Sequence, residues 1–185
     1  MSDLNTIALS HRFLSHFAKE GSVCIDATAG RGYDTEFLCS LVGENGKVYA
    51  FDIQKEATDS TKALLSEKGY KNAEVILASH ADMDKFVKEK ADCIVFNLGW
   101  LPKGDHNIHT EAESSIRAIE KGLDLLNNGG GMSVSIYYGK ETGFDERDRV
   151  LRYLKEIDSL KYTVIVSEFA NRKNCYPISV FIIKD

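Results

Sequence analysis

Three aspartates and two glycines stand at spacings that could do chemistry. In Cys24-Ile-Asp-Ala-Thr-Ala-Gly-Arg-Gly-Tyr-Asp-Thr-Glu36, Asp26 closes an apolar run, Gly30 and Gly32 form a tight turn, and Asp34 follows. Asp52 closes the next apolar run, Val48 to Asp52, 20 residues after Gly32. Strand, glycine turn and helix together bring backbone N–H groups and a helix N-terminus against a nucleotide-like ligand. Glycine suits the turn because a Cβ would block the ligand or strain the backbone. An acid at the Asp52 spacing meets a ribose hydroxyl pair in such folds.

Three readings of this stretch compete: S-adenosylmethionine (SAM), a nicotinamide or flavin cofactor, and a structural turn with no ligand. The dinucleotide fingerprint requires a third glycine three residues after the second, where this chain has Thr35. SAM has a ribose and an adenine but no phosphate, and it carries a sulfonium and an α-amino group. Acids before the turn (Asp26) and beside it (Asp34) suit such a cation and would repel a pyrophosphate. SAM is the favoured reading.

A second informative stretch is Asn97-Leu-Gly-Trp-Leu-Pro-Lys-Gly-Asp105, delivered by the apolar run Asp92 to Leu98. Open α/β sheets bind ligands beyond the carboxyl ends of their strands, where strand order reverses, and Asn97 would emerge there. Trp100 either stacks on a base or packs under its loop, and Lys103 is a candidate phosphate contact. Gln54, just past Asp52, either reaches adenine or ribose or merely starts a helix. Ser79 and His80 stand at the end of the run Glu74 to Ala78, facing the same crevice. His80 is either an adenine contact or a satisfied surface histidine. His11 and His16 read as solvated-face residues. His106 and His109 lack cysteine or acid partners at a defined interval, so no metal site is expected.

The elements that must position these groups alternate. Helices are expected at Thr6 to Lys19, with Leu9, Phe13 and Phe17 as its apolar stripe, at Asp34 to Leu41, from Gln54 to Gly69, at Glu111 to Asn127 and at Asp145 to Leu160. Strands are expected at Val23 to Asp26, Lys47 to Ile53, Glu74 to Ala78, Asp92 to Leu98, Met132 to Tyr138, Tyr162 to Phe169 and Ile178 to Lys184. The last two are joined by a short loop and must be antiparallel neighbours, because a parallel pair needs a long crossover. The fold class is therefore α/β: a Rossmann-like, doubly wound, mostly parallel seven-stranded sheet with one antiparallel strand. At 185 residues the chain, 1–185, reads as one domain. Its composition, 43% hydrophobic and 28% charged, is that of a globular protein. It offers neither a membrane-spanning run nor a secretory signal. The four scattered cysteines point to a reduced, cytoplasmic chain. The net charge of −5 argues against non-specific nucleic-acid binding but not against a local basic face.

Asp26 to Thr35, Phe51-Asp-Ile-Gln54 and Phe96 to Asp105 resemble a family of small class I SAM-dependent methyltransferases, the bacterial proteins long labelled rRNA methylases. Its members are now assigned as tRNA 5-aminomethyl-2-thiouridine methyltransferases acting at the wobble position. Asn171-Arg-Lys-Asn174 followed by Pro177 is similar to the family's Asn/Arg-rich segment. The family usually has Asn at Arg31, a small polar residue at Tyr33, and Tyr-His-Gly at Tyr137-Tyr138-Gly139. The resemblance implies a SAM site built from Asp26, Thr28, Gly30, Arg31, Gly32, Asp34, Thr35, Asp52, Gln54, Ser79, His80 and Asn97. It implies methyl transfer to a primary amine, with Asn97 orienting the amine and Asp105 or Tyr138 as candidate proton acceptors. Trp100, Lys103, Arg172 and Lys173 are candidates for contacts to the anticodon loop of tRNA. A second copy of the chain is a candidate partner that would widen the RNA-facing surface.

Overall fold

The computed structural model describes residues 4–99, 111–172 and 175–185. Trp100, Lys103, Asp105, His106, His109 and Lys173, singled out above, lie outside the described residues. In chain order the elements are α1 (Thr6–Leu14), β1 (Val23–Asp26), α2 (Tyr33–Val42), β2 (Lys47–Asp52), α3 (Lys55–Lys68), β3 (Ala73–Leu77), a short 3-10 turn (His80–Asp82) and α4 (Met83–Phe86). They continue with β4 (Ala91–Leu98), α5 (Ala112–Leu125), β5 (Leu126–Ile136), α6 (Lys140–Glu156), β6 (Tyr162–Ser167) and β7 (Ile178–Lys184). The strands form a seven-stranded sheet in the order β3-β2-β1-β4-β5-β7-β6. Only β7 runs against its neighbours, pairing antiparallel with both β5 and β6. Strand order reverses between β1 and β4, which places a crevice at their carboxyl ends.

Both faces of the central strands are buried, which is why their sequences read as continuous apolar runs. Alternate side chains serve two cores. Ile25, Phe51, Ile94, Phe96 and Met132 pack against α4, α5 and α6 through Met83, Ile119 and Leu154. Cys24, Val48, Cys93 and Val95 pack against α1, α2 and α3 through Leu14, Leu38 and Leu65.

Three helix boundaries differ from the sequence expectation, two of them for a local reason. Helix α1 ends at Leu14 rather than Lys19, because the next backbone bonds tighten to i→i−3 (His16 N–H to Phe13 O, Phe17 N–H to Leu14 O). Helix α5 ends at Leu125, and the Asn-Asn-Gly-Gly-Gly segment belongs to β5. The Asn127 amide donates to Asp92 Oδ1 (2.7 Å), and the β4–β5 register slips between Ala91 and Cys93. Helix α6 runs from Lys140 to Glu156, earlier than expected.

The buried side of α1 is also not the expected one. Thr6, Ser10 and Leu14 face the sheet, while Leu9, Phe13 and Phe17 are only partly buried. Small residues on both sides let the helix lie close. Ser10 and Ser133 hydroxyls meet at 2.8 Å, the Thr6 hydroxyl donates to Pro177 O (3.4 Å), and Phe17 lies over Gly131. A Cβ on Gly131 would run into the Phe17 ring, and overpacking of that kind costs about 1–3 kcal/mol. Gly131→Ala should therefore lower the urea midpoint by an amount in that range, with an unchanged m-value; an unaltered midpoint would show that the helix yields freely.

Candidate active site

A cavity of about 430 Å³ opens at the carboxyl ends of β1, β2 and β4, within the size range of small-molecule sites. Its floor is the turn that the sequence marked. Gly30 and Gly32 both have left-handed backbones (φ 54° and 86°), and a Cβ at Gly32 would press on Thr61. Asp26 sits behind this turn rather than on the cavity wall. It is fully buried, accepting from the Thr28 N–H (3.1 Å) and the Thr35 hydroxyl (2.6 Å). Burial, reinforced by the Asp34 and Asp52 carboxylates, raises its carboxyl to about 7 against the two hydrogen bonds.

Of the expected cofactor residues, Thr28, Gly30, Arg31, Asp34, Asp52, Gln54, Ser79, His80 and Asn97 line the cavity; Asp26, Gly32 and Thr35 do not. The difference is physical: the first strand ends in a carboxyl turned inward to hold the turn, and Thr35 is consumed in holding it.

Asp52 faces the cavity from the end of β2. One carboxylate oxygen accepts from the Gly30 N–H (3.0 Å) and the other from the Gln54 N–H (2.9 Å). Each oxygen keeps a further lone pair, so the fixed carboxylate can still accept from a hydroxyl pair. Gln54 is the N-cap of α3 but makes no side-chain cap bond, which leaves its amide free of that duty. Arg31 pairs with Glu56 (3.4 Å) at the rim. His80 is buried, with Nδ1 3.2 Å from Ala27 O. A carbonyl can only accept, so Nδ1 carries the hydrogen. Burial lowers the imidazole's pKa and keeps the ring neutral, with Nε2 as an acceptor.

Asn97 stands opposite, on β4. Its backbone N–H donates to Thr28 Oγ1 (2.7 Å), and its side-chain NH₂ donates to Asp34 Oδ2 (2.7 Å). The second oxygen of Asp34 meets His11 Nε2 at 2.6 Å, and the His11 ring stacks on Phe37 (3.7 Å, 3°). The sequence places His11 on a solvated face; the structure instead sets it on Asp34 and Phe37, because α1 lies close to the sheet, although His11 itself does not line the cavity. Ile7, one turn before His11, lines the cavity itself. The i, i+4 spacing of Ile7 and His11 was the available signal, masked by the aromatic stripe beside it.

Tyr138, the candidate proton acceptor, is not among the lining residues; Tyr137 is. Both residues lie just past the end of β5, where the Tyr137 N–H donates to Leu98 O (2.8 Å) and the next side chain, Tyr138, leaves the cavity for the start of α6. There it packs on Phe144 with the Arg147 guanidinium 4.8 Å above its ring. Burial first, then Asp34 and Tyr176, pushes the Tyr137 phenol up to about 12, so it stays a protonated donor.

The donor set fits a nucleoside with a cationic tail: a fixed carboxylate for hydroxyls, an acceptor imidazole, an apolar wall and a second carboxylate, Asp34, across the cavity. A family model described as "Putative rRNA methylase" matches residues 48–183. The chain belongs to this rRNA methylase family. A structure of the same description from Clostridium thermocellum is 43% identical, covers 100% of both chains and superposes with a TM-score of 0.98. A Streptococcus mutans chain designated a methyltransferase and solved in complex with SAH is 38% identical over 99% of each chain, with a TM-score of 0.91. The chloroplastic tRNA (mnm(5)s(2)U34)-methyltransferase of Arabidopsis thaliana is 31% identical over 187 residues, covering 95% of this chain and 68% of that protein. The fold is that of class I SAM-dependent methyltransferases, and SAM is the cofactor of this rRNA methylase family member. Among the described residues no group of His, Cys, Asp and Glu could hold a metal ion, and no helix is long and apolar enough to cross a membrane.

The raised Asp26 carboxyl has a consequence for stability. Its folded-state value lies above the unfolded one, so its contribution is complete below about pH 4 and is lost as the pH rises toward 7. Asp26→Asn, which can keep both hydrogen bonds by rotation of the Thr35 hydroxyl, should gain on the wild type in urea unfolding between pH 5 and pH 8. A pH-independent difference between the two proteins would contradict the burial argument.

Proposed function

We propose that this methyltransferase acts on RNA at the exocyclic primary amine of 5-aminomethyl-2-thiouridine in the tRNA wobble position. The observation that carries the reading is the placement of Asn97 in the cavity wall with its amide nitrogen given to Asp34. That leaves the carboxamide oxygen as the end that can accept an N–H from an amine.

SAM supplies a methyl group on a sulfonium, already a strong electrophile. The remaining task is alignment, which by itself can contribute several orders of magnitude in rate. Asp52 and Gln54 would hold the ribose, His80 and Ser79 the adenine end, and Thr28, Gly30, Arg31 and Asp34 the turn side. Asp26, Gly32 and Thr35 support them from behind. The attacking amine must be neutral, because an ammonium has no lone pair. Asn97 Oδ1 would take one of its hydrogens and aim that lone pair inward. With Tyr138 outside the cavity and the Tyr137 phenol protonated, no described tyrosine is poised as a base, and a solvated secondary ammonium can give its proton to water.

An RNA acceptor is supported at the same edge of the sheet. Arg172 lies over the rings of Phe169 (5.6 Å) and Tyr176 (5.5 Å), and Arg147 lies over Tyr138 and Phe144 (5.0 Å). Guanidinium and aromatic planes together are what unstacked bases and phosphates meet in RNA-binding sites. A wobble base is in a loop, so turning it out costs little. The tRNA acceptor is supported by the relative from Arabidopsis, and an rRNA acceptor by the description of the family itself.

Incubation with labelled SAM and either tRNA bearing the aminomethyl wobble nucleoside or unmodified rRNA, followed by nucleoside digestion, separates the two. A methylaminomethyl product from tRNA is expected; label confined to rRNA would replace this reading with its rival. Asn97→Ala should lower turnover about 100-fold while SAM affinity stays near wild type. Loss of SAM binding would instead move Asn97 into the cofactor site.

A further inference from the structure

We propose that His11 is a positioning residue of the methyl-transfer site: it fixes the Asp34 carboxylate, which fixes the Asn97 carboxamide. This rests on the reading that Asn97 orients the acceptor amine.

The chain of contacts is short and continuous. His11 Nε2 meets Asp34 Oδ1 at 2.6 Å, and Asn97 Nδ2 meets Asp34 Oδ2 at 2.7 Å, so each carboxylate oxygen holds one partner. The three side chains are mostly enclosed; His11 retains 26% of its side-chain exposure and Asp34 15%. The imidazole cannot swing away cheaply, because it lies flat on Phe37, interplanar angle 3°. Phe37 is on α2, the same helix that carries Asp34 in its first turn. One helix therefore provides both the carboxylate and the surface that holds the carboxylate's partner.

The need for such a device follows from the chemistry of a carboxamide. Its two ends are nearly the same size, and it turns about a broad terminal torsion at low cost. Only its oxygen can accept from an amine, so a turned Asn97 would present N–H groups to the substrate and repel it. Asp34, an acceptor only, rejects the turned form. A carboxylate held at one oxygen alone would still rotate, and His11 removes that freedom by holding the other. His11 reaches this place because α1 is anchored to the sheet through Ser10 and Ser133 and through Thr6 and Pro177.

The test compares His11→Leu, which keeps an apolar body on Phe37 but has no donor, with His11→Gln, whose side-chain amide places an N–H close to the position of Nε2. On an accepted RNA, H11L should lose about 10- to 100-fold in kcat, with the affinity for SAH, read by calorimetry, within about threefold of wild type. H11Q should recover most of that loss. The second readout needs no acceptor. The ¹⁵N–¹H₂ pair of Asn97, identified by its absence in N97A, is recorded on the SAH-bound protein. It should shift and exchange faster with water in H11L, and return toward the wild-type position in H11Q. Unchanged Asn97 resonances in H11L, or a wild-type kcat, would overturn the proposal, as would equal defects in H11L and H11Q. If the wild type methylates no RNA tested, the acceptor reading fails, while the Asn97 resonances still decide the role of His11.

Discussion

A carboxyl group withdrawn from water holds this site together. Asp26 ends β1, and its two oxygens accept from Thr28 two residues on and from Thr35 in the first turn of α2. Strand, glycine turn and helix are thereby locked into one unit. The left-handed positions of the turn are taken by Gly30 and Gly32, which adopt that backbone without steric cost. Everything that faces the cavity from this side, from the Gly30 N–H to the carboxylate of Asp34, inherits its position from that arrangement.

The same region gathers negative charge. Asp34 and Asp52 both face the cavity, with Asp26 behind them, and Asp26's carboxyl is raised partly by the other two. A pocket built in this way is hostile to phosphates and hospitable to hydroxyls and cations. A sulfonium nucleoside meets both conditions, whereas a dinucleotide brings a pyrophosphate that these carboxylates repel.

RNA would have to approach a chain of net charge −5, and the local distribution makes this reasonable. Arg147 and Arg172 lie over aromatic rings beyond the carboxyl ends of β5 and β6, next to Tyr137 in the cavity wall. Two acids of α6, Asp145 and Asp148, pair with arginines of the same helix, so the negative total does not translate into a uniformly negative face.

Much was legible in the residues themselves. Apolar runs ending in Asp26, Asp52 and Asn97 announced parallel strands buried on both faces, and glycines marked the turn, because these features depend on neighbours along the chain. The antiparallel end of the sheet followed from the shortness of one loop. What the sequence could not state is anything decided by which face meets which partner. Tyr137 rather than Tyr138 enters the cavity where the segment after β5 is held to β4 by the Tyr137 N–H on Leu98 O, a contact between distant positions. Asp26 supports the turn instead of lining the cavity because burial, not residue type, sets its direction. His11 joins Asp34 because small side chains on α1 and β5 let a helix settle close to the sheet, a contact between positions more than 100 residues apart. Local spacing is written in the sequence; the approach of distant surfaces is settled only by packing, since it depends on the shapes both sides present at once.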